Sequence, residues 1–282
     1  MEWPRVKTIL IVVLLIVNIF LFVAYASSAL RETRDEEQVR LDVCEILGNL
    51  GYKLDPEILP GNSELLYPAQ VLYNAQSERE AMTATLGRTE TESAAGITVY
   101  TGSAGQVTLR NGGFVDARIA LSDGLPDRER AVRMVERTLR DMRILLASGQ
   151  VSETGDALTV DGVCSLAGVP VFDCRVKAVV SQAEGIVISG RAPAGDVNFL
   201  QSAKPRALSG LMLNFAQHMQ SLDIHEGTIS EIQRGYVINT SANAEGGTVE
   251  RAPVWRVCMD GENWFVNALT GKVMALHEII FS

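Results

Sequence analysis

The sequence predicts an α+β protein: an N-terminal transmembrane helix followed by an extracytoplasmic region in which single helices lie on antiparallel sheets. Three observations carry that prediction. An apolar run spans Ile9 to Ala26, amphipathic helical stretches alternate with groups of β-rich segments, and those segments are joined by short turns bearing glycine. The composition agrees, because 47% hydrophobic against 21% charged residues over 282 positions describes a packed chain of one large or two modest domains.

The first element is the apolar run. As a helix rising ~1.5 Å per residue it spans roughly 27 Å, close to the thickness of a bilayer core. Arg5 and Lys7 precede it, whereas Arg31 to Arg40 mixes three arginines with four acids, which places the N-terminus in the cytoplasm and the remainder outside. A cleaved secretory signal is the competing reading, since Ala24-Tyr25-Ala26 has the small-x-small pattern of a cleavage site. Either way the bulk of the chain is exported. Trp3 reads as an interfacial anchor, and Asn18 is the strongly polar residue inside the run. An intramembrane amide is satisfied by its own helix or by a partner helix, which makes Asn18 a candidate partner-binding residue.

Residues 36–50 place Val39, Val43, Ile46, Leu47 and Leu50 on one helical face, with Gly51 as a stop. A second helix runs from Ser77 to about Leu86 and ends at Gly87. Strands follow at Ile97–Tyr100, Gln106–Arg110 and Phe114–Leu121, with Asn111-Gly112 as a hairpin signal. Two units of like element order come next. Pro126-Asp127 opens a helix to about Ala147, whose stripe is Ala131, Val135, Met142, Leu145 and Leu146. Strands at Ala157–Val160, Val169–Val180 and Gly185–Arg191 follow, separated by turns at Asp161-Gly162 and Glu184-Gly185. A helix from Lys204 to Leu222 then precedes strands at Gly227–Asn239, Val249–Met259, Asn263–Asn267 and Lys272–Ile279. In the hairpin turning at Asp260-Gly261, Met259 faces Glu262, Val257 faces Trp264 and Trp255 faces Val266, so both tryptophans share a face that the preceding helix must cover. The organisation is a leader and anchor at 1–30, an α+β region at 31–121, and helix-on-sheet units at 122–200 and 201–282.

The sequence offers little chemistry. A net charge of −9 removes the electrostatic basis for binding nucleic acid. Three histidines (His218, His225, His277) and four cysteines (Cys44, Cys164, Cys174, Cys258) lack zinc-site spacing, and the cysteines lie beside apolar residues, as small core hydrophobes do. No GxSxG elbow, phosphate loop or dinucleotide fingerprint occurs, and Gly102-Ser103-Ala104-Gly105 reads as a turn. No catalytic residue, cofactor or metal is assigned. Arg130, Arg133, Arg137 and Arg140 recur at helical spacing as a basic stripe, either docking an acidic partner or balanced by Glu129 with Arg133 and Glu136 with Arg140.

Two stretches carry a resemblance. Glu2-Trp3, Lys7-Thr8-Ile9 and Asn18-Ile19-Phe20-Leu21, together with Pro253-Val254-Trp255-Arg256-Val257 and Phe265-Val266-Asn267-Ala268-Leu269-Thr270-Gly271, resemble the YycI-type regulatory proteins. These are membrane-anchored accessories of a cell-wall two-component system in Gram-positive bacteria. The C-terminal stretch is shared with PepSY-like domains. The resemblance implies a non-enzymatic, single-pass regulator whose anchor contacts a sensor histidine kinase and a related membrane accessory protein. A PepSY-like module that inhibits an exported protease or binds wall polymer is the alternative. An exported hydrolase is a third reading, and it requires a pocket with two facing carboxylates.

Overall fold

The computed structural model describes residues 37–61, 66–121, 127–193, 195–238 and 248–275. Within them the chain is a mixed α+β protein with four helices and a large, mainly antiparallel network of fifteen strands. The apolar run and Asn18 lie outside the described residues, and no described helix is long and apolar enough to cross a membrane.

The helix-then-strands plan that the sequence shows twice is used three times. Helix α1 (37–49) leads to β1 (Tyr52–Leu54), a single 3-10 turn and β2 (Ala69–Leu72). Helix α2 (Ala75–Leu86) precedes the meander β3 (Glu90–Ala94), β4 (Ile97–Gly102), β5 (Gly105–Arg110) and β6 (Phe114–Ile119). Helix α3 (Arg128–Asp141) precedes β7 (Leu145–Thr154), β8 (Ala157–Leu166), β9 (Val169–Ser181) and β10 (Gly185–Arg191). After a short β11 (Asp196–Phe199), helix α4 (Leu208–Ser221) precedes β12 (Gly227–Ile238), β13 (Thr248–Met259), β14 (Glu262–Asn267) and β15 (Val273–Ala275).

The first two meanders join through their last strands. Strands β6 and β10 pair antiparallel from Ile119 opposite Ile186 to Phe114 opposite Arg191, giving the eight-strand order β3-β4-β5-β6-β10-β9-β8-β7. Helices α2 and α3 touch each other and bury Met82, Leu86, Val135 and Leu139 on one face of that sheet. The third meander joins at β9, where β12 runs parallel and Tyr236 pairs with Val171. Strand β13 also pairs with β2, which carries β11 on its other side.

Local chemistry explains the boundaries. Asn74 caps α2 by accepting from the amides of Gln76 and Ser77, and Gly87, at φ 79°, returns its own amide to Thr83. Asp127 caps α3 through the Arg130 amide. Helices α3 and α4 close alike: Arg143 (φ 60°) and Asp223 (φ 64°) turn left-handed, and Ile144 and Ile224 donate to the carbonyls of Leu139 and Met219 at 2.7 and 3.0 Å. Aligned on that ending, buried Ala131, Val135 and Leu139 match Leu211, Phe215 and Met219.

This reversal corrects the sequence reading. The α3 helix stops at Asp141 rather than near Ala147, so Leu145 leaves the stripe and stands 48% exposed in β7. The Asp161-Gly162 turn is also absent. Gly162 lies inside β8, where a Cβ would come within 2.7 Å of the Ser148 carbonyl oxygen, so close strand approach and not chain reversal requires the glycine. The reversal between β8 and β9 is at Ala167-Gly168, both with positive φ as a type I′ turn demands. In α1, Val43 and Leu47 are buried while Val39 and Ile46 are exposed. Helix α4 begins at Leu208 rather than Lys204: its cap residue Ala207 is extended, and the Arg206 amide before it donates to the Ala268 carbonyl at 2.8 Å.

The terminal hairpin has the register read from the sequence, with Met259 opposite Glu262, Val257 opposite Trp264 and Trp255 opposite Val266. These side chains pack under Leu208, Leu211, Met212, Phe215 and Met219 of α4. Trp255 is 3% exposed, so Trp255→Ala removes a large aromatic from a close-packed layer and should cost ~3–5 kcal/mol. Urea unfolding followed by far-UV circular dichroism measures it, and a loss under ~1 kcal/mol would show that α4 does not depend on this ring.

Candidate functional site

A groove of about 600 Å3 opens between the first turns of α2 and the ends of hairpins β3–β4 and β5–β6. Ala81 and Met82 of α2 form one wall, Leu109 and Val115 the floor, and Met142, Arg143 and Ile144 at the end of α3 the third side. Three large side chains stand exposed at its mouth: Tyr73, Ile97 and Phe114, at 52%, 42% and 45%. The local sequence puts them there. Tyr73 precedes the cap of α2, Ile97 follows the Ala95-Gly96 turn, and Phe114 follows the Asn111–Gly113 loop, whose two glycines both have positive φ. Groove size and apolar lining fall in the range of small-molecule and peptide clefts.

The polar groups of the groove are held by one another. Glu78 accepts from the Tyr100 hydroxyl at 2.7 Å and from the Tyr73 hydroxyl at 3.2 Å on the same carboxylate oxygen. Burial first, then Glu78, pushes the Tyr100 phenol well above its usual pKa. Asp196 accepts from the Asn74 side-chain amide at 2.7 Å and pairs with Arg143 at 3.6 Å, fastening β11 to the starts and ends of α2 and α3. Arg143 holds this position from a left-handed conformation that costs a non-glycine residue ~1 kcal/mol. Beneath the mouth, Arg191 lies over the Phe114 ring at 5.2 Å and donates to the Gly112 carbonyl at 2.7 Å.

The polar groups at the groove are engaged with one another. Among the described residues that line the groove Glu78 is the one carboxylate, and it already takes two phenol hydrogens. The two facing carboxylates of the hydrolase reading are not in the groove. Among the described residues no group of three or more His, Cys, Asp or Glu could hold a metal ion. Cys164 and Cys174 are fully buried in the core, where burial pushes both thiols up to about 12 and leaves them protonated at neutral pH.

The basic stripe lies elsewhere, on the outer face of α3. Arg130 pairs with Asp127 at 3.3 Å, Arg133 with Glu129 at 3.3 Å and Arg137 with Asp141 at 3.9 Å. The expected Glu136–Arg140 pair is not formed; both residues line a second groove, between α3 and β7. No motif marked Tyr73, Glu78, Tyr100 or Phe114 in the sequence, because their site is assembled from a helix and two hairpins.

The Tyr100–Glu78 bond is testable. Tyr100→Phe should lose about 1.5 kcal/mol, as for a hydrogen bond to a charged acceptor. Because the folded-state pKa of Tyr100 is raised from 10.0, its contribution is fully present below that pH and is lost as pH rises through the raised value. Urea midpoints from pH 8 upward should therefore fall more steeply in the wild type than in Tyr100→Phe; parallel curves would contradict the bond.

No family model and no curated protein matches the chain. Among solved structures it is similar to the Bacillus megaterium YpeB C-terminal domain, at 15% identity and a TM-score of 0.33, over 73% of this chain and 99% of that one. The YycI-type resemblance of the chain ends has no matching family model behind it.

Proposed function

We propose that the chain is an extracytoplasmic, membrane-tethered binding module of PepSY-like type that holds an extended segment of an exported protein, such as a protease, in the groove beside α2. The observation that supports this reading is the mouth of the groove, where Tyr73, Ile97 and Phe114 are exposed together while the polar groups behind them are satisfied internally. Large apolar groups around a concave site are what an aromatic or aliphatic anchor of a partner would bury. The acidic net charge of −9 favours a polypeptide over an anionic wall polymer as the occupant. The kinase-regulator role implied by the resemblance rests on the leader and on Asn18, outside the described residues, and no feature of the groove adds to it.

A photoreactive amino acid in place of Ile97, activated in intact cells, tests the reading by mass spectrometry of the adduct. The expected result is an exported protein captured through one apolar segment, with capture reduced roughly tenfold or more by Tyr73→Ala combined with Phe114→Ala, about 1.4 kcal/mol of binding. Equal capture from a probe at Gln220 on α4, or adducts of wall polymer alone, would contradict it.

A further inference from the structure

The second groove, about 470 Å3 between α3 and β7, has a different character. Among the described residues β7 pairs with β8 alone, so one edge of a ten-residue strand is left without a ladder partner. Native sheets blunt such edges with charge. The β3 edge carries Glu90 and Glu92, but β7 has no charged residue from Leu145 to Ser152.

Pairing with Cys164, Gly162 and Val160 sets Leu146, Gly149 and Val151 on the helix side of β7. Gly149 is the informative one. Its φ is not in the left-handed region, and a Cβ built on it would meet its nearest neighbour at an ordinary 3.7 Å. Neither backbone strain nor crowding requires a glycine there, in contrast to Gly162 across the ladder. Gly149 stays exposed beside the open edge, with the Leu146 side chain as its nearest neighbour on the groove floor. On the opposite wall stands Arg140, for which no carboxylate lies within 4 Å among the described residues, whereas its stripe neighbours Arg133 and Arg137 are paired. Helix α3 carries five arginines against three acids, a positive excess for the helix as a whole; in the groove itself Glu136 stands with Arg140 on this wall.

We infer that this groove is a second docking site, separate from the one beside α2, and that it takes an extended acidic segment of another protein. The segment adds as a strand to β7, sets alternate side chains over Gly149 between Val151 and Leu139, and places a carboxylate on Arg140. An unpaired strand edge is complementary to another backbone, a helix wall beside it reads every second side chain, and an unpaired guanidinium selects acid. The same geometry accounts for the one arginine of the stripe that has no carboxylate partner among the described residues.

The test uses the full-length protein in detergent micelles and a fluorescein-labelled nine-residue peptide alternating valine with glutamate, followed by fluorescence anisotropy. Binding is expected, with Gly149→Val, which fills the floor, and Arg140→Glu each weakening it roughly tenfold or more at an unchanged thermal midpoint. Gly149→Ala serves as the smaller addition should valine disturb β7. A peptide with lysine for glutamate, and one N-methylated at alternate amides, should not bind, and Tyr73→Ala with Phe114→Ala should leave binding unchanged. Three results would overturn the proposal: equal binding by the groove variants, equal binding of the N-methylated peptide, or self-association in sedimentation that Gly149→Val abolishes, which would make a second copy the occupant.

Discussion

One buried carboxylate ties the three helix-on-sheet units together. The side chain of Asp173 on β9 is 1% exposed; it pairs at 3.1 Å with Arg251 of β13, whose side chain is 2% exposed, and lies 3.8 Å from Arg191 of β10. Arg191 then reaches the first unit, donating to Gly112 and lying over Phe114. A charge taken out of water is tolerated only with a counter-charge beside it, so the position of each unit is constrained by the same group. The constraint falls where it is most needed. The third meander meets the second through a single parallel bridge at Tyr236 and Val171, and backbone pairing alone leaves that junction thin.

The groove beside α2 inherits its shape from this junction. Phe114 at the mouth is backed by Arg191, and Val249, from the strand that bears Arg251, lies in its lining. The Asp196 link to Asn74 and Arg143 fixes the remaining side, where β11 meets both helices. The apolar layers do the bulk stabilisation: α2 and α3 over the eight-stranded sheet, and α4 over the tryptophan hairpin. These layers are non-directional and would tolerate sliding. The buried pair supplies direction, and it does so beside Cys164 and Cys174, whose thiols stay neutral in that setting.

The parts of the fold that were legible in the sequence are those decided by local patterns. The α4 stripe, the Asp260-Gly261 turn and the facing of Trp255 with Val266 follow from helical spacing, turn chemistry and the two-residue period of a strand. What was not legible depends on distant neighbours. Strands β2 and β11 are too short and mixed to signal themselves, and they exist by pairing with β13 and with each other. The α3 stripe ran on into Leu145 and Leu146 because two leucines extend a helical pattern equally well on paper. The chain turns at Arg143, an arginine where glycine is the usual signal. The two grooves were the least visible. The basic stripe was found by spacing, yet the distinction between Arg140 and its paired neighbours belongs to three-dimensional contact.

The claim that Asp173 couples the units is tested most directly by residue-resolved amide hydrogen exchange on Asp173→Asn, which keeps the shape and removes the charge. Loss of protection is expected to appear together in three places that are distant in sequence: β13 around Arg251, β10 around Arg191 and the 111–113 loop, with α4 and β14 still protected. Loss confined to β9, or no loss at all, would contradict it, and the three units would then be held by their apolar layers alone.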